Sequence, residues 1–289
     1  MAGESTFGRR VGLIALAAAA AGLFSATPAG AATQIGETFV PADCDGGSTY
    51  VQAGSPGGSY AAPNPGVITS WSFQAAAASP TQLKLKIARP VGGNTFTVVG
   101  EGQLESPPVN QLSSFLVRIP VQPGDVLGVY LASGPCGMFV APPAYPYSYF
   151  VGDPGVGSTT GFTPGGYFKL DISAVLEPDA DNDGFGDETQ DQCPTDDTAQ
   201  GACPVPDTTI TKHPKDKTKK KKATFEFTSS IAGATFECSL DDHAFAPCSS
   251  PDELKVKKGK HSFDVRATAK GQTDASPASD GWKVKKKHK

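Results

Sequence analysis

Histidine is scarce in this 289-residue chain and is confined to its C-terminal third. The four histidines are His213, His243, His261 and His288. A Ser-His-Asp or Cys-His catalytic arrangement, or a metal site built on imidazole, is therefore excluded from the first two thirds of the chain. We accordingly predict that the protein is not an enzyme.

Long helices find no support in the composition, because glycine and proline interrupt the chain throughout. The 33 Gly and 25 Pro together make up 58 of the 289 residues. Helical bundles and doubly wound sheets do not accommodate this frequency, whereas short strands joined by turns do. Apolar residues make up 38% of the chain and cluster into segments that can form a core. The sequence therefore predicts an all-β fold and excludes global disorder.

Only one long uncharged apolar run occurs, Val11–Phe24, and its 14 residues fall short of the roughly 20 that span a bilayer. Arg9 and Arg10 precede this run, and Ala29-Gly30-Ala31 follows it with the small-x-small form of a signal peptidase site. We expect residues 1–31 to be a signal peptide and the mature protein to be secreted or held at the cell surface, with no membrane span. General secretion and the twin-arginine route both stay open, although the residues beside the arginine pair depart from the twin-arginine motif.

Cysteine usage agrees with export. None of the six cysteines has the C-x-x-C spacing of a zinc site, so disulfides are expected in an oxidising compartment. Six cysteines can pair in many ways. Division of the chain into segments favours Cys44 with Cys136, Cys193 with Cys203, and Cys238 with Cys248.

Charge divides the rest of the chain into three segments. Residues 32–176 carry five Lys/Arg and eight Asp/Glu, a net charge of −3. Residues 177–206 carry nine Asp/Glu and no base, and residues 207–289 carry 18 Lys/Arg and 11 Asp/Glu, a net charge of +7. We interpret them as an N-terminal domain, an acidic linker, and a small basic domain with a Lys-rich tail.

The N-terminal segment is predicted to be the larger of two β-sandwiches, with a jelly-roll-like arrangement of antiparallel strands. In Leu83-Lys84-Leu85-Lys86-Ile87 every second residue is apolar, which predicts that the lysines face water. Clusters of Pro, Gly, Asn and Ser separate the candidate strands, which are Thr49–Ala53, Val67–Gln74, Gln82–Ala88, Thr95–Gly100, Ser114–Val121, Val126–Leu131 and Tyr167–Leu176.

Two features of this segment leave other functions open. Tyr145, Tyr147 and Tyr149 would share one face of an extended strand and could stack on a sugar, although packing in the core or a loop is the simpler interpretation. Glu101 and Glu105 are the best carboxylate pair for hydrolysis, although solvated surface acids are again the simpler interpretation. A lectin-like module and a secreted hydrolase are thus the alternatives to a non-catalytic structural protein.

The acidic linker contains the most specific chemical motif. Asp179, Asp181 and Asp183 lie at alternate positions and are followed by Gly184 and, three residues later, Asp187. Oxygens at positions 1, 3 and 5 of a calcium loop face one centre only if the chain turns sharply, which glycine at position 6 permits. The alternative is a solvated acidic linker neutralised by nearby lysines.

The other ligands of this loop are less regular. Position 7 would contribute the carbonyl of Phe185, and position 12 is Gln190 in place of the bidentate Glu of an EF-hand. The affinity is therefore expected in the extracellular range of about 10⁻⁴–10⁻³ M.

The stretch from Asp179 to Pro194 resembles the thrombospondin type 3 repeat, whose motif D-x-D-x-D-G-x-x-D ends in Cys-Pro. The family places one fewer residue before the cysteine, so the ligand after Asp187 could be Gln190 or Asp191. The resemblance implies calcium binding and an extracellular role in cohesion or cell adhesion.

The C-terminal segment is predicted to be a small sandwich, in which Phe236–Asp241 and Ala244–Cys248 form a hairpin suited to a cross-strand disulfide. Together with Val265–Ala269, this hairpin resembles the bacterial Ig-like repeats of secreted and surface proteins, which implies a spacer or adhesive module. The candidate strands are Asp207–His213, Ala223–Ser229, Thr235–Leu240, His261–Ala269 and Trp282–Lys286.

Three basic clusters, Lys219–Lys222, Lys255–Lys260 and Lys283–Lys289, mark this segment. They contain neither arginine nor interleaved aromatics, so specific nucleic-acid binding is not expected. Solubility, or non-specific attraction to anionic polymers of an envelope or matrix, explains them. The sequence as a whole predicts a non-catalytic, disulfide-bonded, secreted or cell-surface protein with a calcium-rigidified linker and an adhesive or spacer role. A glycan or another cell-surface ligand is the candidate partner of its N-terminal domain.

Overall fold

A computed structural model describes residues 30–55, 57–77, 81–140 and 146–286 of the chain. The expected signal peptide therefore lies outside the described residues except for Gly30 and Ala31, and so do Tyr145 and the last three residues of the Lys-rich tail. Within these ranges there is no helix and strand makes up 54%, which confirms the predicted all-β class. Accordingly, no helix in the described ranges has the length and apolar character needed to cross a membrane.

Short antiparallel strands build the part before the acidic linker. They are β1 Thr33–Glu37, β2 Ser48–Gln52, β3 Gly54–Ser55, β4 Gly58–Ser59, β5 Gly66–Gln74, β6 Gln82–Gly92, β7 Thr95–Glu101, β8 Leu112–Val121, β9 Val126–Ser133, β10 Gly137–Phe139, β11 Tyr147–Val151, β12 Thr159–Gly161, β13 Thr163–Gly165, β14 Phe168–Leu170 and β15 Ile172–Glu177. A seven-stranded sheet has the order β12-β7-β6-β9-β2-β11-β13, and a four-stranded sheet has the order β1-β15-β5-β8. Two small sheets pair β10 with β14 and β3 with β4.

The main core lies between the two large sheets. Trp71 and Phe73 on β5 pack in the same buried cluster as Leu85 on β6 and Leu127 on β9. All four are at most 1% exposed, because alternate residues of each strand point to one face of its sheet. A smaller cluster around Val51 covers the opposite face of the large sheet.

The predicted strands of this part largely coincide with observed ones, but the last one is interrupted at Asp171. The backbone N–H of Asp171 donates to the carbonyl of Cys136, and its carboxylate accepts the N–H groups of Phe39 at 2.9 Å and Gln74 at 3.1 Å. These contacts separate β14 from β15, which belong to different sheets. Burial raises the pKa of Asp171 to about 8.

The prediction that Lys84 and Lys86 face water is wrong. The Lys86 side chain is 0% exposed; its ammonium group contacts Glu101 and lies 2.6 Å from Asp153 and 2.8 Å from the carbonyl of Pro154. Lys84 lies 2.7 Å from Asp153 and 3.3 Å from Glu101. The segment around Asp153 therefore covers the polar face of β6, and the lysines neutralise acids that approach from β7 and from this segment.

Strands after the linker form separate sheets. They are β16 Thr208–Lys212, β17 Lys217–Thr218, β18 Lys222–Ser229, β19 Thr235–Leu240, β20 Ala246–Cys248, β21 Asp252–Lys255, β22 Gly259–Ala269, β23 Gln272–Thr273 and β24 Ala278–Val284. A three-stranded sheet has the order β16-β18-β21, and a second sheet has the order β17-β24-β22-β19-β20 with β23 beside β22. Phe225 on β18 stacks on Phe263 on β22 at a ring-centroid distance of 4.0 Å and meets Trp282 on β24 edge-on, forming the core.

Three disulfides join Cys44 to Cys136, Cys193 to Cys203, and Cys238 to Cys248, as the segment division predicted. The first closes a loop of 92 residues within the N-terminal part, and the last joins the neighbouring strands β19 and β20. All six cysteines are thus paired. This pairing fits an oxidising environment outside the cytoplasm.

Candidate metal centre

The acidic linker begins at the end of β15, where Glu177 fastens it to the N-terminal sheets. Glu177 is 1% exposed and accepts hydrogen bonds from the Thr69 hydroxyl at 2.8 Å and from the N–H of Glu188 at 3.0 Å. It also accepts the N–H and the hydroxyl of Thr189, at 2.9 and 2.7 Å. Burial by itself would raise the pKa of Glu177, but these hydrogen bonds outweigh it and lower the pKa.

Gly186 allows this anchor to approach the loop. A Cβ atom built at Gly186 would lie 2.5 Å from a carboxylate oxygen of Glu177 and 2.6 Å from the Thr69 methyl carbon. Any larger residue would therefore push the loop away from the sheet.

The predicted ligands Asp179, Asp181 and Asp183 converge. Each provides a carboxylate oxygen, and these oxygens lie within 4.8 Å of one another. Asp179 accepts the N–H groups of Asp183 and Gly184, both at 3.1 Å, which turns the chain back on itself. Gly184 has a φ of +86°, so the sixth position takes the left-handed conformation that favours glycine. The cluster can hold a metal ion.

Two further predicted ligands, Asp187 and Asp191, do not belong to this group of three but interact electrostatically with its carboxylates. Asp187 accepts the N–H of Ala180 at 3.2 Å through one oxygen, and Asp191 accepts the N–H of Cys193 at 2.7 Å through one oxygen. Asp191 is only 3% exposed. The other oxygens of Asp187 and Asp191, together with one oxygen of Asp181, are buried and have no hydrogen-bond partner within the described part of the chain.

Such oxygens are electrostatically unfavourable without a cation. Burial raises the pKa of Asp181 and of Asp187, and repulsion from neighbouring carboxylates, including Asp179 and Asp191, raises both further. Hydrogen bonds from backbone N–H groups only partly offset these effects. A bound cation would remove the repulsion and give the buried oxygens a partner.

Phe185 and Gln190, the remaining predicted site residues, also contact the N-terminal sheets. The Arg118 guanidinium lies over the Phe185 ring, 4.0 Å from its centroid. The Gln190 amide nitrogen donates to the carbonyl of Val117 at 2.8 Å, and its oxygen accepts the N–H of Gly186 at 3.4 Å. Both polar atoms of the Gln190 side chain are therefore engaged within the protein, in contrast to Asp191.

The second half of the linker contacts both the loop and the C-terminal sheets. Gln200 donates to the carboxylate of Asp183 at 2.8 Å, and Asp196 forms an ion pair with Lys270 at 2.9 Å. The Thr198 hydroxyl and Lys270 lower the pKa of Asp196. Sequence reasoning missed Glu177 and Gln200, because neither belongs to the calcium motif and no spacing rule marks them.

The residues of the two alternative sites in the N-terminal part also make contacts within the protein. The carboxylate of Glu101 forms ion pairs with Lys84 and Lys86. The backbone of Glu105 forms an isolated antiparallel β-bridge with Leu83. Tyr147 and Tyr149 share one face, as expected, but both pack against the main core. Their rings stack on each other at a centroid distance of 6.3 Å. The two described tyrosines thus pack against the core and are half-buried.

No protein-family model matches the chain, and no curated protein matches it. Among solved structures, the glycoside hydrolase domain of Endo-D from Streptococcus pneumoniae is similar over 74% of this chain and 29% of its own, with 8% identity and a TM-score of 0.21. A β-D-glucuronidase from Dictyoglomus thermophilum is similar over 75% of this chain and 34% of its own, with 10% identity and a TM-score of 0.17. The tripod from the baseplate of bacteriophage Tuc2009 is similar over 88% of this chain and 81% of its own, with 11% identity and a TM-score of 0.18. The chain thus spans about a third of the length of the first two, and similarities this low carry no argument about fold or function.

Proposed function

We propose that the acidic linker binds one calcium ion and that the protein is a non-catalytic, exported module in which this ion stiffens the joint between two β-sandwich domains. The observation that carries the proposal is the group of buried carboxylate oxygens on Asp181, Asp187 and Asp191 that lack hydrogen-bond partners. Buried ionised oxygens without partners are costly, and a divalent cation is the partner they fit.

The ligand chemistry favours calcium. The surroundings offer only oxygen atoms, which suits a hard cation, and calcium accepts six to eight oxygens in flexible geometry. The proposed ligands are the carboxylates of Asp179, Asp181, Asp183 and Asp187, the carbonyl of Phe185, and the carboxylate of Asp191. Asp191 is preferred over Gln190 as the last ligand because the Gln190 amide already bonds Val117 and Gly186.

The mechanical role follows from the charge of the linker. Nine carboxylates without a base within 30 residues repel one another, and a cation reverses this repulsion locally. The loop is attached to the N-terminal sheets through Glu177 and Gln190, and the end of the linker to the C-terminal sheets through Asp196. An ordered loop therefore transmits its rigidity to both sides.

Calorimetric titration and small-angle scattering of the full chain test this proposal. Wild type should bind one calcium ion with a dissociation constant of about 0.1–1 mM and become more compact on binding. At 1 mM calcium, a dissociation constant of about 0.1 mM stabilises the ordered form by about 1.4 kcal/mol. Asp181→Asn should weaken binding at least about tenfold, whereas Asp197→Asn, the same change at an exposed aspartate of the linker, should not. No binding at several millimolar calcium, or equal binding by both variants, would refute the calcium site.

The spacer or adhesive role is supported by the two separate β-sheet cores and the three disulfides, which suit a durable extracellular module. A glycan array with the full chain tests it against the lectin alternative. Binding of a defined neutral glycan through the N-terminal part would replace the spacer role with carbohydrate recognition.

A further inference from the structure

Lysines from three separate stretches of the sequence lie close together in the structure. They line a cleft of about 680 Å³ at one end of the C-terminal sheets, called the Lys cleft here, which is formed by Lys219, Lys220, Lys221, Lys222, Lys258 and Lys285. All six side chains are exposed. The turn between β17 and β18, the connection between β21 and β22, and the residue after β24 each provide part of this lining.

The backbone of the Lys cleft is fixed by hydrogen bonds between its three walls. The Thr218 carbonyl accepts the N–H of Lys285 at 2.8 Å, and the Lys221 carbonyl accepts the N–H of Val256 at 2.8 Å. Val256 and Val284 are buried in the domain core, two residues before Lys258 and one before Lys285. The lysines are therefore held together by the fold against their mutual repulsion.

Little negative charge compensates this lining. Lys222 pairs with Glu253 at 2.7 Å. Across the part of the chain that the structure describes, the other five lining lysines have no ion pair with a carboxylate. Concave clefts lined by one sign of charge concentrate the field and attract ligands of the opposite sign.

We propose that the Lys cleft binds a linear anionic polysaccharide, whose carboxylate or sulfate groups the lysine ammonium groups neutralise along its length. The lining has no aromatic side chain on which a nucleic-acid base could stack and no arginine for bidentate phosphate binding. It has no apolar side chain to enter a lipid layer, and its concave shape does not fit a flat membrane surface. The compartment implied by the disulfides also favours an extracellular polymer.

Calorimetry of the full chain with a heparin oligosaccharide tests the proposal, because heparin is a linear anionic polysaccharide. The variant Lys220→Gln/Lys258→Gln/Lys285→Gln removes one lysine from each wall. The control Lys212→Gln/Lys215→Gln/Lys260→Gln removes the same charge from exposed positions outside the lining. Heparin should bind wild type at low salt and dissociate toward about 0.5 M salt. The cleft variant should bind at least about tenfold more weakly and the control less than about threefold.

Protection of lysines from acetylation, read by mass spectrometry on the wild-type protein, gives a second measurement independent of variant folding. Heparin should protect the lining lysines more than Lys212 and Lys215. Equal weakening of heparin binding in both triple variants would show that only the net charge of the protein matters, and it would overturn the proposal. Tighter cleft-dependent binding of oligodeoxythymidylate of equal charge, or of vesicles containing anionic lipid, would overturn it in favour of a nucleic acid or a membrane. Calcium chelation should leave heparin binding unchanged, so this outcome is separable from that of the metal site.

Discussion

Glu177 accepts hydrogen bonds from both the backbone N–H and the hydroxyl group of Thr189, at 2.9 and 2.7 Å. The last residue of a core strand thereby holds the far end of the candidate metal loop. The position of the loop is therefore set by the N-terminal sheets as much as by its own aspartates.

Glu177→Gln should lower the free energy of unfolding by about 2 kcal/mol. In this variant an amide N–H group would face hydrogen-bond donors that now donate to a carboxylate oxygen. The substitution should also weaken calcium binding, since the loop loses its anchor. Glu188→Gln makes the same chemical change at an exposed residue and should cost less than about 0.5 kcal/mol. Denaturant unfolding with and without calcium measures both effects, and equal losses in the two variants would contradict the anchoring role.

Asp191→Asn should weaken calcium binding at least about tenfold, because it removes a ligand charge. Gln190→Ala should leave the calcium affinity within about threefold and lower stability by about 1 kcal/mol, since its amide bonds Val117 and not the ion. Titration calorimetry measures the calcium affinity and thermal unfolding measures the stability, so together they distinguish a calcium ligand from a residue that only supports the loop. A larger loss of affinity in Gln190→Ala would reverse the assignment of these neighbouring residues.

Lys86→Met should destabilise the N-terminal part by about 3–5 kcal/mol, because it removes the fully buried cation between Glu101 and Asp153. Burial by itself would raise the pKa of Asp153, but hydrogen bonds and charge from Lys84 and Lys86 outweigh it and lower the pKa. Lys84→Met leaves Lys86 in place, so it should cost roughly half as much or less. Urea unfolding of the two variants decides this, and equal effects would show that burial of the lysine is not the determining factor.

His261 should make the stability of the C-terminal part depend on pH. Its Nδ1 lies 2.8 Å from the Asp241 carboxylate and its Nε2 lies 3.0 Å from the carbonyl of Lys257, so both ring nitrogens face acceptors. Burial lowers the pKa of His261, but the hydrogen bond and charge of Asp241 outweigh this effect and raise it.

The raised pKa of His261 fixes the sign of the pH dependence. The stabilisation is fully present below the unfolded pKa of about 6.5 and is lost as the pH rises through the higher folded pKa. Unfolding at about pH 5.5 and about pH 8.5, with an NMR titration of His261, measures it. Asp241→Asn should bring the pKa back toward 6.5 and flatten the dependence. A wild-type pKa at or below the unfolded value would contradict the prediction.

Local patterns predicted most of the longer strands, but not the shorter ones such as β1 and β21, and they predicted the tertiary contacts of polar residues poorly. The predicted bounds of β5, β7 and β19 lie within one residue of the observed ones, whereas β6 extends four residues beyond its predicted end. Alternation of apolar and polar residues marks a half-buried strand, because its two faces have different surroundings. The same alternation misassigned Lys86, since another segment covers the outer face of β6 through Asp153. That segment is 67 residues away in the chain, and no local rule reports such a contact.

The candidate site shows the same division. The spacing of Asp179, Asp181 and Asp183 predicts their convergence, because a tight loop brings alternate residues together. The choice between Gln190 and Asp191 depends on a hydrogen bond from Gln190 to the carbonyl of Val117, on another strand. This bond can be read only from the fold.

Both edges of the β17-β24-β22-β19-β20 sheet in the C-terminal part are short strands. One edge is β17, which is two residues long and begins at Lys217. The other is β20, three residues long, in which Pro247 lacks an N–H group and Cys248 is bonded to the neighbouring strand. Short edges bearing lysine or proline resist the addition of a strand from another molecule. Two copies of the chain are therefore not expected to join edge to edge through this sheet.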